Sequence, residues 1–447
     1  MRDKKKSLNL YLLYDRQGIK RHLEEMAEKG WMLEKTPSHF WTYRKIEPRK
    51  ITFEVVYYQK ATSFDPEPSE EQKEFIAFCE QTGWKFVSSW AQMQFFYNEQ
   101  QNPIPLDTDP VMEIEAIHKT MRKGFLPVYW WLVILALFGC MSGLLSMINH
   151  PINFWGNFIH CFTLATWVMC LAFYITEILA YNSWRRRARS AAQHGEFLAS
   201  ANTAKKQKIK GAILLAWVCI GIGHWAFSGN ILYQLIGVGS VLCMLLLILG
   251  VQGTKAYLKK KKVSARKNLV ITLLVDVVLA VLLYGTFLFL VIKFSIQFAS
   301  TKQAVDVERV ALYIQDLLPT GYEEYGVDGV KHEESIFLVH DTVYQYAWDE
   351  ETDEEWYFDY ETVQVKVPLI YEMCKKEMLS HVDNEAWAYA QIGAEEWQAR
   401  EVYQAVSLQY GSWPMYLICY DDRMVEVVLD WEPDKEQQAY IVEKLAR

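Results

Sequence analysis

The sequence carries no catalytic or nucleotide-binding signature. No P-loop string, G-x-S-x-G elbow, H-E-x-x-H pair or protein-kinase set occurs in its 447 residues, so the usual phosphate cradle, activated serine and zincin helix are excluded. Eight cysteines include no C-x-x-C pair, which removes the common zinc-ligand spacing. Cys140, Cys161, Cys170, Cys219 and Cys243 lie in apolar runs, Cys79 lies near the N-terminus, and Cys374 and Cys419 lie towards the C-terminus. The last two form a candidate disulfide, with two buried thiols as the alternative. A cleavable secretory leader is also missing: the apolar run 8–14 behind the basic start is short and ends at Asp15 and Arg16, so the first domain is expected to stay where it is made. These gaps point to no enzyme, no cofactor and no metal site.

Long apolar runs are abundant. With 51% hydrophobic and 15% aromatic residues, the chain is rich for a soluble protein. Five stretches, 128–148, 158–181, 212–227, 231–251 and 269–292, are long enough to span a hydrocarbon core, the third being the shortest. The formal charge of -8 averages segments of opposite sign. The loop 182–210 holds the run Trp184 to Arg189 with Lys205, Lys206, Lys208 and Lys210, and the loop 252–268 holds Lys255, Lys259 to Lys262, Arg266 and Lys267. By the positive-inside rule both loops are cytosolic, and the loops 149–157 and 228–230, which lack Lys and Arg, suit the outer face. An odd number of spans then puts the N-terminus inside and the C-terminus outside a plasma membrane. The basic loops fit anionic lipid headgroups better than nucleic acid. Ionisable residues in the spans, Glu177, Asp276, His160 and His224, are candidates for an ion path, against snorkelling or pairing with Arg185 to Arg187 as the structural alternative.

Residues 1–126 read as a cytosolic α+β domain, 127–298 as the membrane region and 299–447 as an outer α+β domain. The first contains an internal repeat: a helical run ending at Gly30-Trp31 recurs in type as one ending at Gly83-Trp84, each Gly suited to a left-handed C-cap and each followed by alternating aromatic strands. With a leading strand at 8–14 and strands at 31–34, 40–44, 51–58, 86–90 and 93–97, the pattern predicts one antiparallel sheet with helices on one face, a ferredoxin-like arrangement. Trp31 and Trp84 are candidate stacking platforms, although a Trp after a capping Gly ordinarily packs into the core. Arg44 and Lys45, with Arg49 and Lys50, form a basic cluster for a partner or lipid surface, or a solvated turn.

The helix ending Glu-Met-Ala-Glu-Lys-Gly30-Trp31, the strand Phe40-Trp-Thr-Tyr-Arg-Lys45 and the second Gly83-Trp84 resemble the domain-of-unknown-function family 2812 (DUF2812) over about the first quarter of the chain. That resemblance implies a domain commonly followed by membrane helices. It also implies a setting near PadR-type regulators in Gram-positive bacteria, and it implies no assigned activity.

Residues 300–447 hold roughly three times as many Asp and Glu as Lys and Arg. A helix at 307–318, strands at 335–348 and 356–367, helices at 368–379 and 395–405, a hairpin turning at Asp421-Asp422 and a last helix after Pro433 are expected. The acidic run 349–355 lacks the Gly and closing Glu of a calcium loop. His332 beside Glu333 and Glu334 is too short a cluster for a metal. Glu395 to Arg400 matches a Glu-Glu-x-x-x-Arg protease string but lies in a polar domain. The arrangement points to a membrane-anchored sensor or regulatory adaptor; a transporter subunit using the intramembrane carboxylates, or a membrane immunity or interaction protein, are the alternatives.

Overall fold

One βαββ unit, built twice, makes the N-terminal region. The first copy is β1 (Lys4–Leu8), α1 (Arg16–Glu28), β2 (Trp31–Lys35) and β3 (Phe40–Lys45); the second is β4 (Thr52–Tyr57), α2 (Glu70–Gln81), β5 (Lys85–Trp90) and β6 (Met93–Asn98). Each copy forms its own three-stranded antiparallel sheet in the order first, third, second strand. Both helices end ahead of a glycine in the left-handed region, Gly30 at φ 82 and Gly83 at φ 90, where a side chain would be strained. The structure, a computed structural model, describes residues 3–37, 40–227, 231–300, 307–318, 324–349, 354–382, 386–407 and 411–446.

The repeat differs from the sequence expectation in two ways. The strands split into two sheets instead of one ferredoxin-like sheet, and the strand at 51–58 opens the second copy instead of closing the first. The leading strand is also displaced, to Lys4–Leu8. Past Leu8 the apolar run leaves the sheet because its side chains are needed elsewhere: Leu13 and Tyr14 are buried, and Tyr14 packs against Tyr181 and Trp184 at ring distances of 5.6 and 5.2 Å. The Leu12 amide donates to Thr203 Oγ1, so the backbone stays satisfied without a ladder.

The chain divides into two compact units, Met1–Ile134 with Leu171–Gln297, and Leu135–Cys170 with Phe298–Arg447. Helix α3 (Pro110–Thr120) runs through a π-helical turn, Met121–Phe125, into α4 (Leu126–Asn149). Then come α5 (Pro151–Gly156), α6 (Phe158–Gln193), α7 (Thr203–Ala226), α8 (Ile231–Lys260) and α9 (Ala265–Ser300). Five of these segments are long and apolar enough to cross a membrane. Helix α6 outruns its apolar stretch. In its last turns Tyr181, Trp184, Ala188 and Ala192 are buried while Arg186, Arg187 and Arg189 are exposed, a stripe at helical spacing. That stripe joins Ile19, Leu23, Trp41, Phe53, Phe95, Ile117 and Met121 in one core, so the basic run doubles as the outer face of a core helix. The uncharged loop 228–230 lies outside the described residues.

In the second unit a seven-stranded antiparallel sheet runs in the order β10-β11-β12-β13-β9-β8-β7. Its strands are β7 (Glu324–Glu334), β8 (Leu338–Asp349), β9 (Glu354–Val365), β10 (Ala388–Ile392), β11 (Glu401–Ser407), β12 (Gly411–Cys419) and β13 (Arg423–Leu429). One face, with Val343, Phe358, Tyr360, Ile418, Val425 and Val427, packs on α11 (Lys435–Leu445). The other, with Leu338, Val363, Leu417, Cys419 and Met424, packs on α10 (Tyr371–Leu379). Two expected helices do not form. Residues 307–318 make two 3-10 turns, Val307–Arg309 and Ile314–Asp316. The stretch 395–405 is a turn that buries Trp397 and then strand β11, paired on both edges, so the ladder and not the helical spacing decides. In the acidic run, 350–353 lie outside the described residues. Within this unit Gly139 lies under the Trp167 ring and Gly143 under Leu164, close approaches of α4 and α6 that a side chain would block.

Candidate functional site

Two polar constellations stand out, one in each unit. In the first, Asp15 caps α1, its side chain accepting from Gly18 N at 3.2 Å. The same carboxylate, 1% exposed, accepts from Ser200 Oγ at 3.0 Å, Ala201 N at 2.9 Å, Thr203 N at 3.0 Å and Thr203 Oγ1 at 2.8 Å. One anion thus serves the N-termini of α1 and α7 together, where helix dipoles favour negative charge. Next to it Arg16, 2% exposed, pairs with Glu54 of β4, with Glu113 of α3 at 2.5 Å and with Asp107 at 3.4 Å; Lys20 adds a second cation on Glu54 at 2.8 Å. Burial lifts the Asp107 carboxyl against the pull of Arg16. A further tie comes from the second repeat, where Asn268 Nδ2 donates to Phe64 O at 3.2 Å and Lys255 Nζ lies 2.9 Å from Ser63 Oγ and 4.4 Å from the Phe64 ring. Ser63, Phe64 and Lys255 border a groove of about 860 Å³ that also presents Lys35, Ser88 and Lys259.

In the second unit the polar group lies on the α10 face of the sheet. Glu361 of β9 and Glu426 of β13 are direct partners across adjacent strands, an arrangement in which like charges repel. Glu426 is 6% exposed. His381, two residues past the end of α10, places Nδ1 3.0 Å from Glu426 Oε2. One ligand atom from each of Glu361, His381 and Glu426 lies within 4.8 Å of the other two. Behind them His340 of β8, 8% exposed, sets Nε2 2.8 Å from Glu361 Oε1. Its Nδ1 lies 3.6 Å from Glu333 Oε2, beyond hydrogen-bond reach. Burial opposes a charged imidazole here, but Glu333 and Glu361 outweigh it and raise His340 to about 9. Burial also lifts the Glu426 carboxyl, against the pull of His381; the hydrogen bond to Glu426 raises His381 in turn.

The same helix grips α5. Glu377 of α10 accepts from Ile152 N at 2.6 Å and lies 3.6 Å from His150 Nδ1. Ser335 Oγ donates to Trp155 O at 2.6 Å, and the Trp155 ring meets Phe337 at 4.6 Å.

The residues singled out by sequence fall elsewhere. Glu177 is held by Lys210 Nζ at 2.6 Å and Gln207 Nε2 at 2.7 Å, linking α6 to α7. Asp276 of α9 has a buried Oδ1 without a hydrogen-bond partner, and these two carboxylates are not hydrogen-bonded to each other. His160 is exposed at the start of α6, near the Phe154 ring. Trp84 is buried with Cys79 and Phe96 and donates to Ile104 O at 2.9 Å. Trp31 is half-buried beneath Lys5 Nζ, 5.6 Å from its ring. Arg44 and Lys45 are exposed on β3. Cys374 and Cys419 are free thiols in one apolar core, where burial raises both, to about 12 and about 11. His332 turns to Asp341, 2.5 Å away, and leaves its sequence neighbour Glu333 to His340. Sequence reasoning missed Glu361, His381 and Glu426. A signal existed: Glu426 interrupts the apolar run Met424 to Leu429, the mark of a strand buried on both faces with one carboxylate inside.

Five apolar membrane-length helices joined to a small two-sheet region and a seven-stranded sheet define a multi-pass membrane protein. Residues 15–129 match the family described as Protein of unknown function (DUF2812). The matched segment begins at Asp15 and takes in Arg16, Glu54, Asp107 and Glu113. No curated protein and no solved structure matches the chain.

Proposed function

We propose that the protein is a sensor or regulatory adaptor of the plasma membrane, its N-terminal domain cytosolic and its C-terminal domain outside. The orientation rests on the basic loops 182–210 and 252–268 and on an odd number of spans. The observation that carries the reading is that polar contacts tie the N- and C-terminal domains to segments flanking the spans, Asp15 to the start of α7 and Glu377 to α5. A change in the C-terminal domain would therefore be felt at the α4–α6 connection, and a change in the spans would be felt at the DUF2812 region. Anionic lipid headgroups suit the exposed arginines of α6 and the lysine-lined groove. A protein partner on the cytosolic side would receive the output.

Amide exchange over residues 15–129 tests this, comparing the full chain with one lacking 299–447 in the same bilayer nanodiscs. Altered protection in the N-terminal region is expected. Unchanged protection together with an unchanged set of cytosolic partners would sink the sensor reading.

A further inference from the structure

The geometry points to a divalent transition-metal site in the C-terminal domain, formed by Glu361, His381 and Glu426. Two carboxylates and one imidazole converge from β9, β13 and the end of α10, with ligand atoms already within 4.8 Å of one another. Around a four-coordinate ion with bonds of about 2.1 Å, neighbouring ligands stand about 3.4 Å apart, so a shift of side-chain rotamers closes the set. The strand register explains why a cation belongs there. Glu361 and Glu426 are fixed opposite each other on central strands, where neither backbone can move aside, and Glu426 is shut off from water.

The surroundings match what a metal site needs beyond its ligands. His340 Nε2 orients Glu361 at 2.8 Å, and Glu333 stands behind it. The phenol oxygen of Tyr389 on β10 is buried without a hydrogen-bond partner. His381 is exposed on its outer side, which gives an entry path and leaves room for water in the remaining coordination position. One nitrogen and two oxygens favour an ion of the Zn²⁺ or Mn²⁺ kind over Ca²⁺, which takes six to eight oxygens. His381 stands four residues beyond Glu377, whose carboxylate holds Ile152 N, so a bound ion would steady the end of α10 that grips α5. This last step rests on the sensor reading; the binding site does not.

The test is calorimetric titration of the full chain in detergent micelles, first stripped with a chelator, using Zn²⁺ and Mn²⁺ in turn. One saturable site per chain is expected, with affinity at least about tenfold weaker in His381→Gln and in Glu426→Gln. His381 is on the rim, so its variant keeps the test valid if Glu426→Gln fails to fold, as judged by circular dichroism. Absence of saturable binding, full affinity in the His381 variant, or displacement of the ion by Ca²⁺ would each overturn the assignment. Amide exchange over 150–156 and 15–129 in the same samples separates the two ideas. Binding without any change there leaves the metal site standing and counts against the sensor.

Discussion

Gly18 lies in the first turn of α1, where alanine would ordinarily add up to about 1 kcal/mol of helix stability. In this protein the sign should reverse. A Cβ at position 18 would stand 2.6 Å from Asp15 Oδ2 and 2.7 Å from its Cγ and Oδ1, so the carboxylate must swing away. It would then release Ser200 Oγ, Ala201 N, Thr203 N and Thr203 Oγ1. Hydrogen bonds to a charged acceptor contribute about 1.5–3 kcal/mol when taken singly. Four on one carboxylate do not add, and water recovers part of the loss, so about 3 kcal/mol stands for the set. Subtracting the propensity gain leaves the 200–203 segment about 2 kcal/mol easier to open. Amide exchange at Ala201 and Thr203 should therefore quicken about 30-fold in Gly18→Ala. Hydrogen–deuterium exchange of the full chain in micelles, read on peptides covering 196–206, measures it. Asp15→Ala removes the same four hydrogen bonds with no propensity gain to offset them, so exchange should quicken further, about 150-fold for about 3 kcal/mol. Exchange that is unchanged or slower in Gly18→Ala would refute the reasoning.

Arg16→Ala should cost about 3–5 kcal/mol, because it leaves Glu113 buried without its cation and Glu54 with Lys20 alone; a chain that melts within a degree of the wild type would contradict this. Glu377→Ala removes the acceptor of Ile152 N, and exchange over 150–156 should rise about tenfold, for a loss of about 1.4 kcal/mol. His22, beside Tyr43 Oη at 3.2 Å, is held below its ordinary value by burial. A lowered histidine stabilises the fold above its unfolded value and loses that contribution as pH falls through the folded one, so stability should drop between about pH 7 and pH 5. The decrease should be shallower in His22→Gln, as read by thermal melts at both ends of that range, and an equally steep decrease would clear His22 of the role.

The spans, the Gly-Trp repeat, the Asp421-Asp422 hairpin and the last helix are all legible in the sequence, because each is a local pattern of apolar spacing and turn residues. The ties are not. Asp15 meets Thr203 across 188 positions, and no spacing rule links them. The single-sheet expectation fails because each βαββ copy pairs only its own strands, and the run after Leu8 is claimed by the core under α6 instead of the ladder. Residues 395–405 look helical by periodicity, yet the ladder between β10 and β12 takes the second half. The metal ligands escaped for the same reason: Glu361 and Glu426 become neighbours only through strand register, and His381 only through the packing of α10.

The buried stripe on α6 has a consequence for biogenesis. Ile19, Trp41 and Phe53 share their core with Tyr181, Trp184, Ala188 and Ala192, so the N-terminal region is translated long before the helix that completes it. During that interval its apolar face has no partner within the chain, and it must be shielded while the first two spans are inserted. The fragment 15–129 made alone should expose that face and aggregate, whereas a fragment extended through Gln193 supplies the missing stripe. Insertion of the second span and closure of the first domain are in this sense a single event in the protein's assembly.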